Sequence, residues 1–142
     1  MRIRTGILAA STAVLLTLTA CGSDDEGDAG DGATQAGEAA LRKAVQDRMD
    51  AVNDGNVDAI QELTSTRCRE KTSKQELTKT IDLTNTLYGD IELKSLDILE
   101  INEDSAVVKG TTGIEALDKP QPGDDEGARW ALEDGHWRTD DC

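Results

Sequence analysis

From Glu38 onward, Leu41, Val45, Met49 and Val52 recur every three or four residues, while Arg42, Lys43, Asp47, Arg48 and Asp50 fill the positions between them. That period puts the apolar side chains on one face of a helix and the charges on the other. Asn53-Asp54-Gly55 stops this helix, because glycine suits the left-handed residue that closes many helices. Asn56 caps a second helix carrying Val57, Ile60, Leu63 and Cys68 on one broad face, so Cys68 is expected on or beside the buried side. Ser73 followed by Glu76 is a capping box; it opens a third helix through Leu77, Ile81 and Thr84, ended by Gly89-Asp90.

The pattern then changes period. Residues 91–101, IELKSLDILEI, mix alternation with adjacent apolar pairs, which predicts one long strand with a bend or bulge. Asn102-Glu103-Asp104 turns the chain, and Ala106, Val107 and Val108 start a return strand running toward Ile114, with a bend at Gly113. The stretch from Asp118 to Gly127 holds both prolines and reads as an exposed loop. Asp134-Gly135 is a strong two-residue hairpin turn. It predicts that Glu133 opposes His136, Leu132 opposes Trp137 and Trp130 opposes Thr139. Trp130, Leu132 and Trp137 then share one face, and Ala131, Glu133, His136 and Arg138 the other.

Before Glu38 the chain has another character. Arg2 and Arg4 precede an apolar run from Gly6 to about Leu18, and Leu18-Thr19-Ala20-Cys21 follows. A charged start, a short apolar stretch and small residues before a cleavage point are the marks of an export signal. The run falls short of the roughly 20 residues of a membrane span and contains Ser11, Thr12, Thr17 and Thr19. Its last four residues resemble a bacterial lipobox. That resemblance makes Cys21 the acylated first residue of the mature chain, which would carry a diacylglyceryl group with palmitate-type chains. Residues 1–20 are thus expected to be a cleaved signal peptide. Residues 21–37, the lipidated cysteine and a glycine- and aspartate-rich stretch, are expected to be a flexible acidic tether, and 38–142 the folded domain.

Charge narrows the function classes. The chain has 15 basic and 29 acidic residues, and without the two leader arginines the balance is 13 against 29, or −16. No basic run overrides that field, so nucleic-acid binding is excluded as an expectation. The tether aspartates form no D-x-[DN]-x-[DN]-G calcium loop. One histidine and no Cys-x-x-Cys give no transition-metal cluster, and neither metal nor cofactor is expected. Cys68 and Cys142 remain once Cys21 is assigned to lipid. In an exported protein they form a disulfide closing a loop of about 75 residues, worth about 4 kcal/mol in the chain-entropy view. The alternative leaves Cys68 a buried thiol and Cys142 unpaired.

The helical front half with Cys68, the strand pair around LDILEINEDSAVVKG and the closing RWALEDGHWRTDDC resemble small actinobacterial lipoproteins of the nuclear transport factor 2-like (ketosteroid-isomerase-like) superfamily. The resemblance spans Glu38 to Cys142 and implies an α+β cone: three N-terminal helices packed on a curved antiparallel sheet of about four strands. It also implies the Cys68–Cys142 bridge.

Chemistry within such a cone lacks an obvious centre. His136 sits at the hairpin turn, on the face away from the tryptophans. Asp97 and Glu100 lie on the first strand, where one could face a cavity. Asp82 lies mid-helix among polar neighbours, and Tyr88 reads as a packing group at the edge of the core. Leu96, Ile98, Val108, Trp130 and Trp137 are candidate walls of a cavity, or else the filling of a small core. The reading is a non-enzymatic binding or interaction module of the cell envelope, lipid-anchored on the extracytoplasmic face of the cell membrane and monomeric. Its partners are the bilayer and an envelope protein. A carrier or sensor of a small apolar ligand, and a cone-type isomerase or hydrolase with a buried carboxylate, are the alternatives.

Overall fold

The Asp134-Gly135 turn sets the geometry of the closing hairpin. Both residues have positive φ, 54° and 78°, the combination that matches the twist of two antiparallel strands. The computed structural model describes residues 31–119 and 127–142. In it β3 (Ala128–Glu133) and β4 (His136–Thr139) pair with Trp130 opposite Thr139, Leu132 opposite Trp137 and Glu133 opposite His136, the register the turn predicts. Trp130 and Trp137 are both buried, on one face.

Two further strands, β1 (Ser95–Ile101) and β2 (Ser105–Thr111), complete an antiparallel sheet in the order β1-β2-β3-β4. The expected irregularity in the first strand is a bulge between Ile98 and Glu100. Ile98 pairs with Val108 and Glu100 with Val107, so Leu99 is the extra residue and stands exposed. The bulge has a purpose legible in the pattern: it turns Glu100 outward and returns Ile101 to the apolar face opposite Ala106. β3 starts tightly against β2. A side chain at Gly127 would bring its Cβ to 2.5 Å from the Val108 carbonyl oxygen, so only glycine fits there.

Among the described residues, four helices precede the sheet: α1 (Asp31–Asn53), α2 (Val57–Glu62), α3 (Thr66–Lys71) and α4 (Lys74–Tyr88). A single turn, α5 (Glu115–Asp118), follows β2. The fold is therefore α+β, with a four-stranded antiparallel sheet. Several bounds differ from expectation: the first strand begins at Ser95 rather than Ile91, and the return strand stops at Thr111, short of Ile114. α1 begins at Asp31 rather than Glu38, in keeping with the helix-forming alanines of that stretch. The single second helix expected from Asn56 through Cys68 is two helices, broken at Leu63–Ser65, because this turn bonds to β4 instead of continuing the helical ladder. The capping box of the next helix is present, with Ser73 and Glu76 bonded reciprocally. The signal peptide, Cys21, tether residues 22–30 and loop residues 120–126 lie outside the described residues.

Two apolar clusters hold these elements. Leu41, Ala44 and Val45 of α1 pack on Ala106, Val108, Trp130 and Trp137 of the sheet, with Leu96, Ile98, Ile101 and Leu132 at the margin. The Trp137 indole N–H donates to the Gly37 carbonyl at 3.0 Å, so the ring is buried without losing its polar bond. The second cluster joins Ala51, Ile60 and Ile81 across α1, α2 and α4. Asn53 ties the end of α1 to the chain beyond α4: its side chain donates to the Ile91 carbonyl and accepts from the Ile91 N–H, each at 2.9 Å. The helix faces away from these clusters carry little apolar surface beyond Leu83 and Leu87 of α4.

Trp130→Ala empties the middle of the sheet's apolar face and is expected to lower stability by about 3–5 kcal/mol in chemical denaturation. Leu83→Ala, at a side chain 58% exposed, is the control; it is expected to change stability by no more than about 0.5 kcal/mol. Equal effects of the two would contradict the assignment of the core.

Candidate functional site

The residues expected as cavity walls all belong to one apolar cluster or pack against it. Val108, Trp130 and Trp137 are buried with Leu41, Ala44 and Val45 of α1, and Leu96 and Ile98 are half-buried against them. Asp97 and Glu100 are exposed, as is Asp82, so none of the three carboxylates raised as candidates faces inward. Tyr88 is half-buried and His136 exposed. Among the described residues, no group of three or more His, Cys, Asp or Glu side chains could hold a metal ion.

What the fold does assemble lies at the edge of β4. In an antiparallel pair, successive residues point their backbone groups alternately toward the partner and away from it. Here Glu133–His136 is the pair that closes the two-residue turn, so His136 and Arg138 bond toward β3. Trp137 and Thr139 point their N–H and C=O outward. At Thr139 that edge is occupied. Its N–H donates to the Leu63 carbonyl and its C=O accepts from the Ser65 N–H, both at 2.8 Å, which makes a short parallel bridge between Thr64 and Thr139.

Side chains lock this junction. Ser65 is fully buried and caps α3: its Oγ accepts from the Cys68 N–H at 3.2 Å and donates to Asp140 Oδ1 at 2.5 Å. Asp140 also accepts from Arg67 Nε at 3.1 Å and pairs with Arg67 Nη2 at 2.9 Å. On the far side of the hairpin, both oxygens of Glu133 accept from the Thr66 N–H at 3.1 Å, and one accepts from Arg138 Nη1 at 3.1 Å. The disulfide between Cys68 and Cys142, with a sulfur–sulfur distance of 2.03 Å and Cα atoms 5.6 Å apart, closes the cluster covalently.

These bonds set the local acidities. The Arg67 hydrogen bond, aided by the Ser65 hydroxyl, holds the Asp140 carboxyl below its ordinary value against the opposing effect of burial. Burial pushes Glu133 up, but the Thr66 N–H and hydroxyl and the Arg138 charge together outweigh it, so this carboxyl too titrates low. Beneath the junction, burial lowers the Arg48 guanidinium, with the charge of Asp141 opposing that shift.

Concavities among the described residues include one at this edge and one on the sheet away from it. One, of about 500 Å³, lies between α1, α2, α3 and β4 and is lined by Asp47, Glu62, Leu63, Arg69, His136 and Arg138, with Trp137 and Ala59. A smaller one, of about 240 Å³, lies on the sheet by Glu100, Val107, Arg129, Ala131 and Asp140. Sequence reasoning named Trp137 and set Glu133, His136 and Arg138 on one face of the hairpin, but missed Glu62 and Arg69. Charged side chains are too common here for any one to stand out, and only the broken helix brings them to one edge. The chain matches no known family model and no curated protein.

Both carboxylates of the junction have folded-state pKa values below their unfolded ones. Their stabilisation is therefore full above the ordinary carboxylate range and is lost as pH falls through the folded values. The urea midpoint is expected to drop on acidification, and Asp140→Asn to shallow that drop; an unchanged slope in the variant would contradict the assignment. Replacing both Cys68 and Cys142 by serine is expected to remove about 4 kcal/mol of stability in the same measurement, whereas a loss below about 1 kcal/mol would show that the bridge constrains little.

Proposed function

We propose that this chain is a lipid-anchored extracytoplasmic lipoprotein whose α+β domain, cone-like in the manner of nuclear transport factor 2-like proteins, works as a monomeric, non-enzymatic binding module of the cell envelope. The observation that carries the reading is the sequence Leu18-Thr19-Ala20-Cys21 after a short apolar run with arginines before it. The Cys68–Cys142 disulfide supports it, since such bonds form and persist in oxidising compartments. Lasting attachment needs two acyl chains, which the lipobox modification supplies. Confinement to a thin layer at the membrane raises the effective concentration of the domain toward partners held in the same layer.

Binding at the surface is the reading favoured over a carrier of a small apolar molecule or a cone-type isomerase or hydrolase. Those roles need an open apolar interior, or an acid buried within one. The apolar residues nearest the centre are packed on one another, and the carboxylates of the described residues are exposed or half-buried. The surface around β4, by contrast, gathers fixed charges and backbone groups at a concave edge.

Cys21→Ala is expected to release the protein from the membrane fraction of a producing bacterium into the soluble or secreted fraction, with the wild type retained by detergent-extractable membrane. A variant that still partitions with the membrane would overturn the lipid assignment.

A further inference from the structure

The free edge of β4 and the two unlike walls beside it define a ligand class. The Leu63–Ser65 turn covers this edge at Thr139 only. Two residues earlier, Trp137 directs its N–H and C=O the same way, toward the concavity of about 500 Å³. No backbone hydrogen bond from the described residues occupies that stretch. The edge thus offers one donor and one acceptor to an incoming main chain, the basis of recognition by strand addition.

The walls differ in sign. His136 and Arg138 lie on the face of the hairpin opposite the buried Trp137. Arg69 joins them there, because it donates to Thr66 Oγ1, Thr66 bonds Glu133, and Glu133 bonds Arg138. Asp47 and Glu62 come from α1 and α2, on the side of the edge that the helices cover. Lys43 already pairs with Asp47 and Glu133 with Arg138, so selection falls mainly on Glu62 and Arg69. A strand laid along this edge points successive side chains to opposite faces. One would meet the basic wall and the next the acidic wall.

The geometry points to a binding groove for a short extended peptide in which neighbouring residues carry opposite charges, the acidic side chain toward Arg69, His136 and Arg138 and the basic one toward Asp47 and Glu62. Trp137 makes the two main-chain hydrogen bonds, and the charges choose the sequence. This rests on the reading of the domain as a binding module, but not on the anchor. Peptide titration reads the groove and membrane fractionation reads Cys21, so either can fail alone.

The test titrates the full chain, ¹⁵N-labelled and held in detergent, with the peptide Ala-Glu-Lys-Ala blocked at both ends. The expected result is a saturable shift of the Trp137 amide and of the Arg69 side-chain signal. Ala-Glu-Glu-Ala, Ala-Lys-Lys-Ala and a backbone N-methylated Ala-Glu-Lys-Ala are each expected to bind at least about tenfold more weakly. Arg69→Ala and Glu62→Ala, both at exposed side chains, are expected to weaken binding while the Val108 and Trp130 amide signals at the centre of the sheet keep their free-protein positions, which shows the fold retained. No saturable shift at millimolar peptide would overturn the proposal. Equal binding of the like-charged or N-methylated peptides would overturn it as well.

Discussion

Two hydrogen bonds between Thr139 and the turn at Leu63–Ser65 join the helical half of the protein to the sheet. Helices α2 and α3 are six residues each, too short to persist alone, and their shared turn has left the helical ladder. What fixes them is external: a strand edge that takes the turn's backbone, a serine that caps α3 while reaching Asp140, and a disulfide one turn further on. Each contact orders groups the others need. Ser65 is buried because Thr139 holds its N–H, and its hydroxyl is satisfied because Asp140 and the Cys68 N–H are in place.

The same junction explains how so small a core supports a concave surface. The sheet's apolar face is covered by α1 with Trp130 and Trp137 at the centre. α2 and α4 make a separate contact with the end of α1. Among the described residues the backbone bonds from the helices to the sheet's last strand are those at Thr139, and none is made along the same edge at Trp137. An open edge invites unwanted pairing between chains. Here it is short and flanked by Glu62, Arg69, His136 and Arg138, and those charges limit which chains can approach.

Much of the fold was legible from residue pattern, and the reason is locality. The Asp134-Gly135 turn admits one register, so the facing pairs and the common burial of both tryptophans follow from six or so neighbouring residues. The capping box at Ser73 and the irregular first strand were readable on the same ground. The break in the second helix was not. The apolar spacing of Val57, Ile60, Leu63 and Cys68 fits a continuous helix, and the partner that overrides it is Thr139, far along the chain. The charged walls were hidden for the same reason: Glu62 and Arg69 belong to one edge only once the helix is broken. The pairing of Cys68 with Cys142 was legible because few cysteines left few choices.

Native-state hydrogen exchange at the Ser65 and Thr139 amides tests most directly whether this junction organises the molecule. Both are expected to be protected to nearly the level of the Trp130 and Val108 amides at the centre of the sheet, opening only with global unfolding. Exchange at Ser65 and Thr139 as fast as at exposed turns, while the sheet centre remains protected, would mean that the helices dock without this bridge and would contradict the account.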